Sequence, residues 1–159
     1  MMSHYRNRFW YPKNSSVYLA DNGYLYDPEG EMGKYYNATL KRLSSLHDIG
    51  CLILLGESGS GKTTEMIEER RRLLGQEDIG SDQVIWIDLD QFQCENRLCD
   101  AVLKWMKADY PLYLFLDSYD ECILRIETLS ALLLSKLTGL PIERLYLRIA
   151  CKCISSPAN

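Results

Sequence analysis

One segment of this 159-residue sequence combines the residue types and the spacing that bind phosphate. It reads GESGSGKT over residues 56–63, which matches the pattern G-x-x-x-x-G-K-[ST] in full. Its glycines let consecutive N–H groups approach phosphate oxygens, the lysine places a cation on the β- and γ-phosphates, and the last hydroxyl suits Mg²⁺. The predicted nucleotide-binding residues are Gly56, Glu57, Ser58, Gly59, Ser60, Gly61, Lys62, Thr63 and Thr64, and Lys62 is also predicted to be catalytic.

A second group of residues could hold the metal and activate water. Asp117 follows the apolar run 112–116, so it would lie at the carboxyl end of a strand beside the phosphate-binding segment. There it would hold Mg²⁺ together with Thr63, directly or through a water. Asp120 and Glu121 could polarise an attacking water, although both could instead cap the next helix. The predicted metal ligands are therefore Thr63 and Asp117, and Asp120 and Glu121 join the predicted catalytic residues.

Strands and helices that would position these residues alternate from residue 50 onward. Short apolar runs, typical of strands buried on both faces, predict strands at residues 51–55, 84–87, 112–116 and 145–151. Helical patterns cover residues 61–74, 95–107 and 121–137. Strands separated by helices form parallel sheets that are covered on both faces. The predicted fold class is therefore α/β, a three-layer sandwich with a mainly parallel sheet. This context argues against a Gly/Ser-rich turn at residues 56–61 that binds nothing.

The N-terminal part has a different composition, because seven of the eleven tyrosines lie in residues 1–36. Residues 17–20 and 24–26 flank Asp21-Asn22-Gly23 and predict a β-hairpin. A short helix is expected from about residue 37 to 46, with Asn37 as its N-cap. We predict an aromatic-rich segment at residues 1–48, an incomplete nucleotide-binding core at 49–154 and a tail at 155–159.

The overall composition excludes several classes of protein. No apolar run approaches the length needed to span a bilayer, and no apolar stretch follows the basic N-terminus as in a secretory signal. A net charge of −4 makes nucleic acid an unlikely partner. The six cysteines contain no C-x-x-C pair, so we expect buried or incidental thiols rather than a zinc site. These features predict a cytoplasmic protein with no membrane partner.

The segment LYLFLDSYDE, residues 112–121, resembles the Walker B box of NACHT-type NTPases, which belong to the STAND class of signalling P-loop proteins. The family box usually has Gly where this chain has Ser118. The resemblance implies that Asp120 or Glu121 activates the water. It also implies that Lys152, at the end of RLYLRIACK, occupies the sensor 1 position, which is most often Arg in the family. In the family's strand order, the strand of the phosphate-binding loop lies next to the sensor 1 strand.

The resemblance implies a molecular switch that binds ATP and Mg²⁺, changes state on nucleotide exchange and is reset by slow hydrolysis. Related bacterial proteins commonly serve in antiviral defence and signalling. Family members continue with a fifth strand and a helical lid, so the resemblance implies a truncated core. It also implies self-association or a partner protein bound through those missing regions. Without the fifth strand, residues 52–55 would form an exposed apolar edge.

Two other functions stay open from the sequence. A small nucleotide or metabolite kinase would share the phosphate-binding loop, but such enzymes usually need an Arg-rich lid. Residues 121–144 offer only Arg125 and Arg144. A non-catalytic nucleotide-binding fragment is the other alternative. The sequence contains no Asn/Thr-Lys-x-Asp motif for reading guanine, which favours ATP over GTP.

Overall fold

The computed structural model of the chain describes residues 8–20, 22–119 and 140–152. The chain divides into two compact units, Met1–Asp48 and Ile49–Asn159. The predicted helix at 121–137 lies outside the described residues, as do the predicted catalytic residues Asp120 and Glu121.

The first unit contains helix α1 (Glu31–Tyr36) and a 3-10 helix at Leu43–Leu46. The prediction of a helix that starts at Asn37 is wrong, because α1 ends there. The Asn37 side chain instead bonds both backbone groups of Tyr18. Its Oδ1 accepts from the N–H at 2.8 Å, and its amide donates to the carbonyl at 2.9 Å. Asn37 is therefore the C-cap of α1 rather than the N-cap of a following helix.

The predicted hairpin is present as one antiparallel bridge between Leu19 and Leu25. The N–H of Ala20 donates to the carbonyl of Tyr24 at 2.8 Å, and Gly23 has a φ of +79°. The chain therefore reverses direction as predicted, and among the described residues of this segment the pairing is limited to this one bridge. Tyr24 is 72% exposed, and arms that bury so little apolar surface give a longer hairpin little stability.

The second unit is built on one parallel sheet. Its strands are β1 (Cys51–Gly56), β2 (Val84–Asp88), β3 (Leu112–Asp117) and β4 (Leu145–Lys152). They lie in the order β1-β4-β3-β2, and all three pairings are parallel. Each strand begins at its predicted residue and runs one residue further at its carboxyl end. The predicted α/β class is confirmed, with a four-stranded sheet that is parallel throughout the described residues.

Two helices connect these strands across opposite faces of the sheet. Helix α2 (Lys62–Leu74) leads from β1 to β2, and α3 (Cys94–Met106) leads from β2 back to β3. The two crossovers run in opposite directions across the strand order, and right-handed crossovers of opposite direction place their helices on opposite faces. The sheet is therefore the middle layer of three.

The main core lies between the sheet and α3. Alternate side chains of each strand point to one face, and those of β2, β3 and β4 on the α3 side form one buried cluster. The helix contributes Leu98, Val102 and Trp105 to it. The indole Nε1 of Trp105 donates to the carbonyl of Tyr110 at 2.8 Å, which satisfies its only polar atom. Met106, the last residue of α3, is exposed.

The face toward α2 is more polar. Arg148 of β4 is buried, and its guanidinium donates to the carbonyl of Ile49 at 2.7 Å. Burial lowers the pKa of the Arg148 guanidinium, and the nearby Glu69 carboxylate opposes that shift. Glu69 is itself buried on α2 and accepts two hydrogen bonds from Arg72, each of 2.9 Å. The attraction between the Glu69 carboxylate on α2 and the Arg148 guanidinium on β4 favours the packing of the helix on the sheet, because a buried charge is stable only when it is paired.

Strand β1 lies at one edge of the sheet in the described part of the chain. Leu54 faces α2 and is buried, whereas Ile53, on the opposite face, is 56% exposed. Cys51 at the start of the strand is also exposed, whereas Cys94 on α3 is buried, and both are free thiols. No helix among the described residues is both long and apolar enough to cross a membrane.

Candidate phosphate-binding site

The loop between β1 and α2 has a backbone that only glycine adopts readily. Gly59 has a φ of +77° and Gly61 a φ of +91°, both in the left-handed region. A Cβ at Gly56 would lie 2.8 Å from the Oγ of Ser60, so the Ser60 hydroxyl would have to turn away. The loop residues 57–60 are exposed, so the loop is open to a ligand from solvent.

Helix α2 begins directly after this loop, with Gly61 as its N-cap. No side chain of the described residues caps it. The first N–H groups of a helix have no partner within the helix, and they carry the positive end of its dipole. The end of α2 that adjoins the loop is therefore suited to an anion such as phosphate.

Replacement of Gly61 by Ala should destabilise the fold by about 1–2 kcal/mol, because a Cβ is disfavoured at this φ. Gly75, at the other end of α2, is a matched control. Its φ is −86°, and an added Cβ would meet only ordinary contacts at 3.5 Å. Urea unfolding of Gly61→Ala and Gly75→Ala should show a lower midpoint for the first variant only. Equal midpoints would contradict the left-handed conformation at residue 61.

The Lys62 ammonium lies across the loop. Its Nζ donates to the carbonyl oxygens of Gly56 at 2.7 Å and Glu57 at 2.9 Å, with a longer contact of 3.4 Å to the hydroxyl of Ser60. The positive charge is thus held beside the N–H groups of the loop and the start of α2. An anion bound by these amides would also accept hydrogen bonds from the Lys62 ammonium, and the positive charge strengthens those bonds.

Thr63 and Asp117 are brought together from elements 54 residues apart in the sequence. The Thr63 hydroxyl donates to the Oδ1 of Asp117 at 3.2 Å, and the N–H of Ser118 donates to the same oxygen at 2.9 Å. Asp117 is only 7% exposed. The two predicted metal ligands therefore lie in direct contact at the carboxyl edge of the sheet, next to the loop.

Ser118 has a φ of +58°, in the left-handed region that favours glycine. The turn after β3 therefore has a backbone that glycine adopts most readily, and Ser118 occupies it with a small side chain.

Lys152 is placed near the loop by strand pairing. Strand β4 lies beside β1, and Lys152 is the register partner of Gly56, where the loop begins. Its side chain is exposed. Thr64 lies in the first turn of α2 and is exposed as well. The structure thus brings the predicted loop residues, Asp117 and Lys152 to one end of the sheet.

Asp88 is a further acidic residue at this edge, and it is absent from the predicted site residues. It ends β2 as Asp117 ends β3, and the two are register partners. A sequence signal for it exists, because the apolar run 84–87 is followed by a carboxylate, the same pattern that indicated Asp117. Within the described ranges no group of three or more His, Cys, Asp or Glu side chains is placed to hold a metal.

Comparison with known proteins finds no match of any kind. No family model, no curated protein and no solved structure matches this chain. The assignment of a function to the site therefore depends on its residues and their geometry.

Proposed function

We propose that this protein binds Mg-ATP and hydrolyses it slowly, as a nucleotide-dependent switch of NACHT/STAND type. The contact between Thr63 and Asp117 carries the proposal. A hydroxyl at the start of a helix that follows a glycine-rich loop lies 3.2 Å from a carboxylate at the end of a neighbouring strand. This pair of oxygen ligands is the one that phosphate-bound Mg²⁺ uses in P-loop NTPases.

Each part of the site has a role in this proposal. The N–H groups of the loop and of the first turn of α2 bind the phosphates, and Lys62 offsets their negative charge. Thr63 and Asp117 would hold Mg²⁺, which when bound supplies charge neutralisation and orients the β- and γ-phosphates. Asp120 or Glu121, which lie outside the described residues, would orient the attacking water.

The strand order agrees with a NACHT-like switch. Strand β4 lies between β1 and β3, which is the adjacency that the resemblance implies for the sensor 1 strand. Lys152 at its end is the register partner of Gly56. A cationic residue at this point could respond to the γ-phosphate, and a switch needs such a group to tell ATP from ADP.

Calorimetric titration of the purified protein with Mg-ATP tests binding, and we expect a saturable release of heat. We also expect GTP to compete with ATP for the site less well than ADP does. Phosphate release then tests hydrolysis. Glu121→Gln should lower the release rate and leave nucleotide affinity unchanged, because a water-orienting group acts on the chemical step. No heat from well-folded protein would contradict the proposal.

The same preparation separates the two alternatives. Binding without phosphate release from the wild-type protein would indicate a non-catalytic nucleotide-binding fragment. Transfer of labelled phosphate to a small acceptor, followed by thin-layer chromatography, would indicate a kinase. Release of free phosphate without an acceptor is the result that we expect.

A further inference from the structure

The first unit contains a groove that the phosphate-binding site does not use. Its volume is about 610 Å³, within the range of about 300–1,000 Å³ that small-molecule sites occupy. All of its lining residues belong to the first unit, and they lie between Phe9 and Ser45 in the sequence. No residue of the proposed nucleotide site is among them, so the groove is a separate candidate site.

The more buried part of the lining is mostly apolar. Leu40 is 8% exposed, and Phe9 and Pro28 are half-buried. Asn37 also lines the groove, but its side-chain amide already bonds both backbone groups of Tyr18. A ligand in this groove would therefore bury an apolar group, because the apolar side chains offer it the most favourable contact.

Arg42 connects two walls of the groove. Its guanidinium donates to the two carboxylate oxygens of Glu29 at 2.6 and 2.8 Å, and its central carbon lies 5.4 Å from the centre of the Phe9 ring. A pair with two hydrogen bonds has a defined geometry, and a cation over an aromatic ring is attracted to it. This part of the groove is therefore held in place, and the charges of Arg42 and Glu29 offset each other.

The lining carries an excess of positive charge. Lys34 and Lys41 line the groove and are exposed. Within residues 8–20, 22–119 and 140–152, neither ammonium has an ion-pair or hydrogen-bond partner. Glu29 is the one acidic residue in the described lining, and Arg42 already offsets it. A cleft lined by charges of one sign concentrates the field at its mouth, so this groove attracts an anion.

We propose that this groove binds a small amphiphilic anion, a molecule with an aromatic or apolar body and one negatively charged group. The body would pack on Phe9, Pro28 and Leu40, and the charged group would lie beside Lys34 and Lys41 at the exposed rim. The inference goes beyond the proposed function, because it requires neither ATP nor Mg²⁺.

The test is a fluorescence titration of the full chain with two dyes. Anilinonaphthalene sulfonate (ANS) has an aromatic body and one negative charge, and phenylnaphthylamine has the same rings without the charge. We expect Lys34→Gln/Lys41→Gln to bind ANS about 10-fold more weakly and the neutral dye equally well, because only the charge-assisted contacts are lost. Lys13→Gln/Lys107→Gln is the matched control, since it removes the same charge from exposed lysines outside the groove, and it should bind both dyes as the wild type does.

Four other results would overturn the inference. Equal ANS affinity in Lys34→Gln/Lys41→Gln and the wild type would show that these lysines do not recognise an anion. An equal loss for both dyes would show that they only support the shape of the groove. The same loss in the control variant would show an effect of net charge. Displacement of ANS by an oligothymidylate would indicate a nucleic-acid surface instead.

Competition with Mg-ATP distinguishes this inference from the proposed function. Saturating Mg-ATP should leave the ANS affinity unchanged. If Mg-ATP displaces the dye, the dye reports the nucleotide site and the groove inference is wrong. If calorimetry shows no heat with Mg-ATP, the proposed function fails and the comparison of the two dyes still decides on the groove. Should the double variant fail to fold, the single variants Lys34→Gln and Lys41→Gln decide by the same comparison.

Discussion

Lys62→Ala should weaken Mg-ATP binding by about 100-fold, which corresponds to ~2.7 kcal/mol. The ammonium is the cation that the structure holds across the loop, 2.7 Å from the carbonyl of Gly56 and 2.9 Å from that of Glu57. Its loss removes charge-assisted hydrogen bonds to the phosphates, and each bond to a charged group contributes about 1.5–3 kcal/mol. Calorimetry with Mg-ATP measures the change directly.

The fold should survive this substitution. Lys62 is the first residue of α2, where alanine is a good helix former, and the carbonyls that it leaves lie beside exposed loop residues that water can reach. Lys107→Ala is the matched control, because it removes one exposed lysine just after α3, on the other face of the sheet. Wild-type affinity in Lys62→Ala would show that the loop does not hold a triphosphate.

Asp117→Asn has the second large expected effect, a fall of about 100-fold or more in the rate of phosphate release. The amide oxygen can still accept from the Thr63 hydroxyl and the Ser118 N–H, so the local structure should persist. What is lost is the negative charge that would hold Mg²⁺. We therefore expect nucleotide binding to lose its dependence on Mg²⁺.

The direction in which Asp117→Asn changes nucleotide affinity in the absence of Mg²⁺ distinguishes a metal ligand from a structural residue. In EDTA the Asp117 carboxylate would repel a bound triphosphate, and its neutralisation should leave affinity unchanged or raise it. A fluorescent ATP analogue, titrated with and without Mg²⁺, gives both values for each protein. Weaker binding by Asp117→Asn in EDTA would mean that the residue supports the fold of the site rather than a cation.

The four strands show how much of the fold local pattern determines. Each was predicted to begin at the residue where it begins, because a strand buried in a parallel sheet reads as a short apolar run. Each also runs one residue further than predicted, and the added residues include Asp88 and Asp117, whose polar side chains end the apolar runs. Backbone pairing continues one residue past the last apolar side chain. A prediction from apolar runs alone therefore ends each strand one residue too early.

Asn37 shows where local pattern fails. A helix N-cap and a side chain that binds a distant backbone use the same polar atoms, and the sequence around Asn37 does not distinguish the two. Tyr18, which lies 19 residues away in the sequence, determines the outcome. Its backbone N–H and its carbonyl both bond the Asn37 side-chain amide. Because that partner is non-local, the helix prediction at 37–46 had no signal against it.

The sequence by itself determined the glycine-rich loop between β1 and α2, the alternation of strands and helices and the α/β class, since these follow from glycine positions and apolar runs that act within a few residues. Only the tertiary structure decided the full strand order. It confirms that Thr63 and Asp117 meet across 54 residues, as their motifs predicted, and it adds the pairing of Asp88 with Asp117, which the predicted site residues did not include. The physical reason is that the order of parallel strands depends on the packing of the whole sheet, which no short stretch of chain encodes.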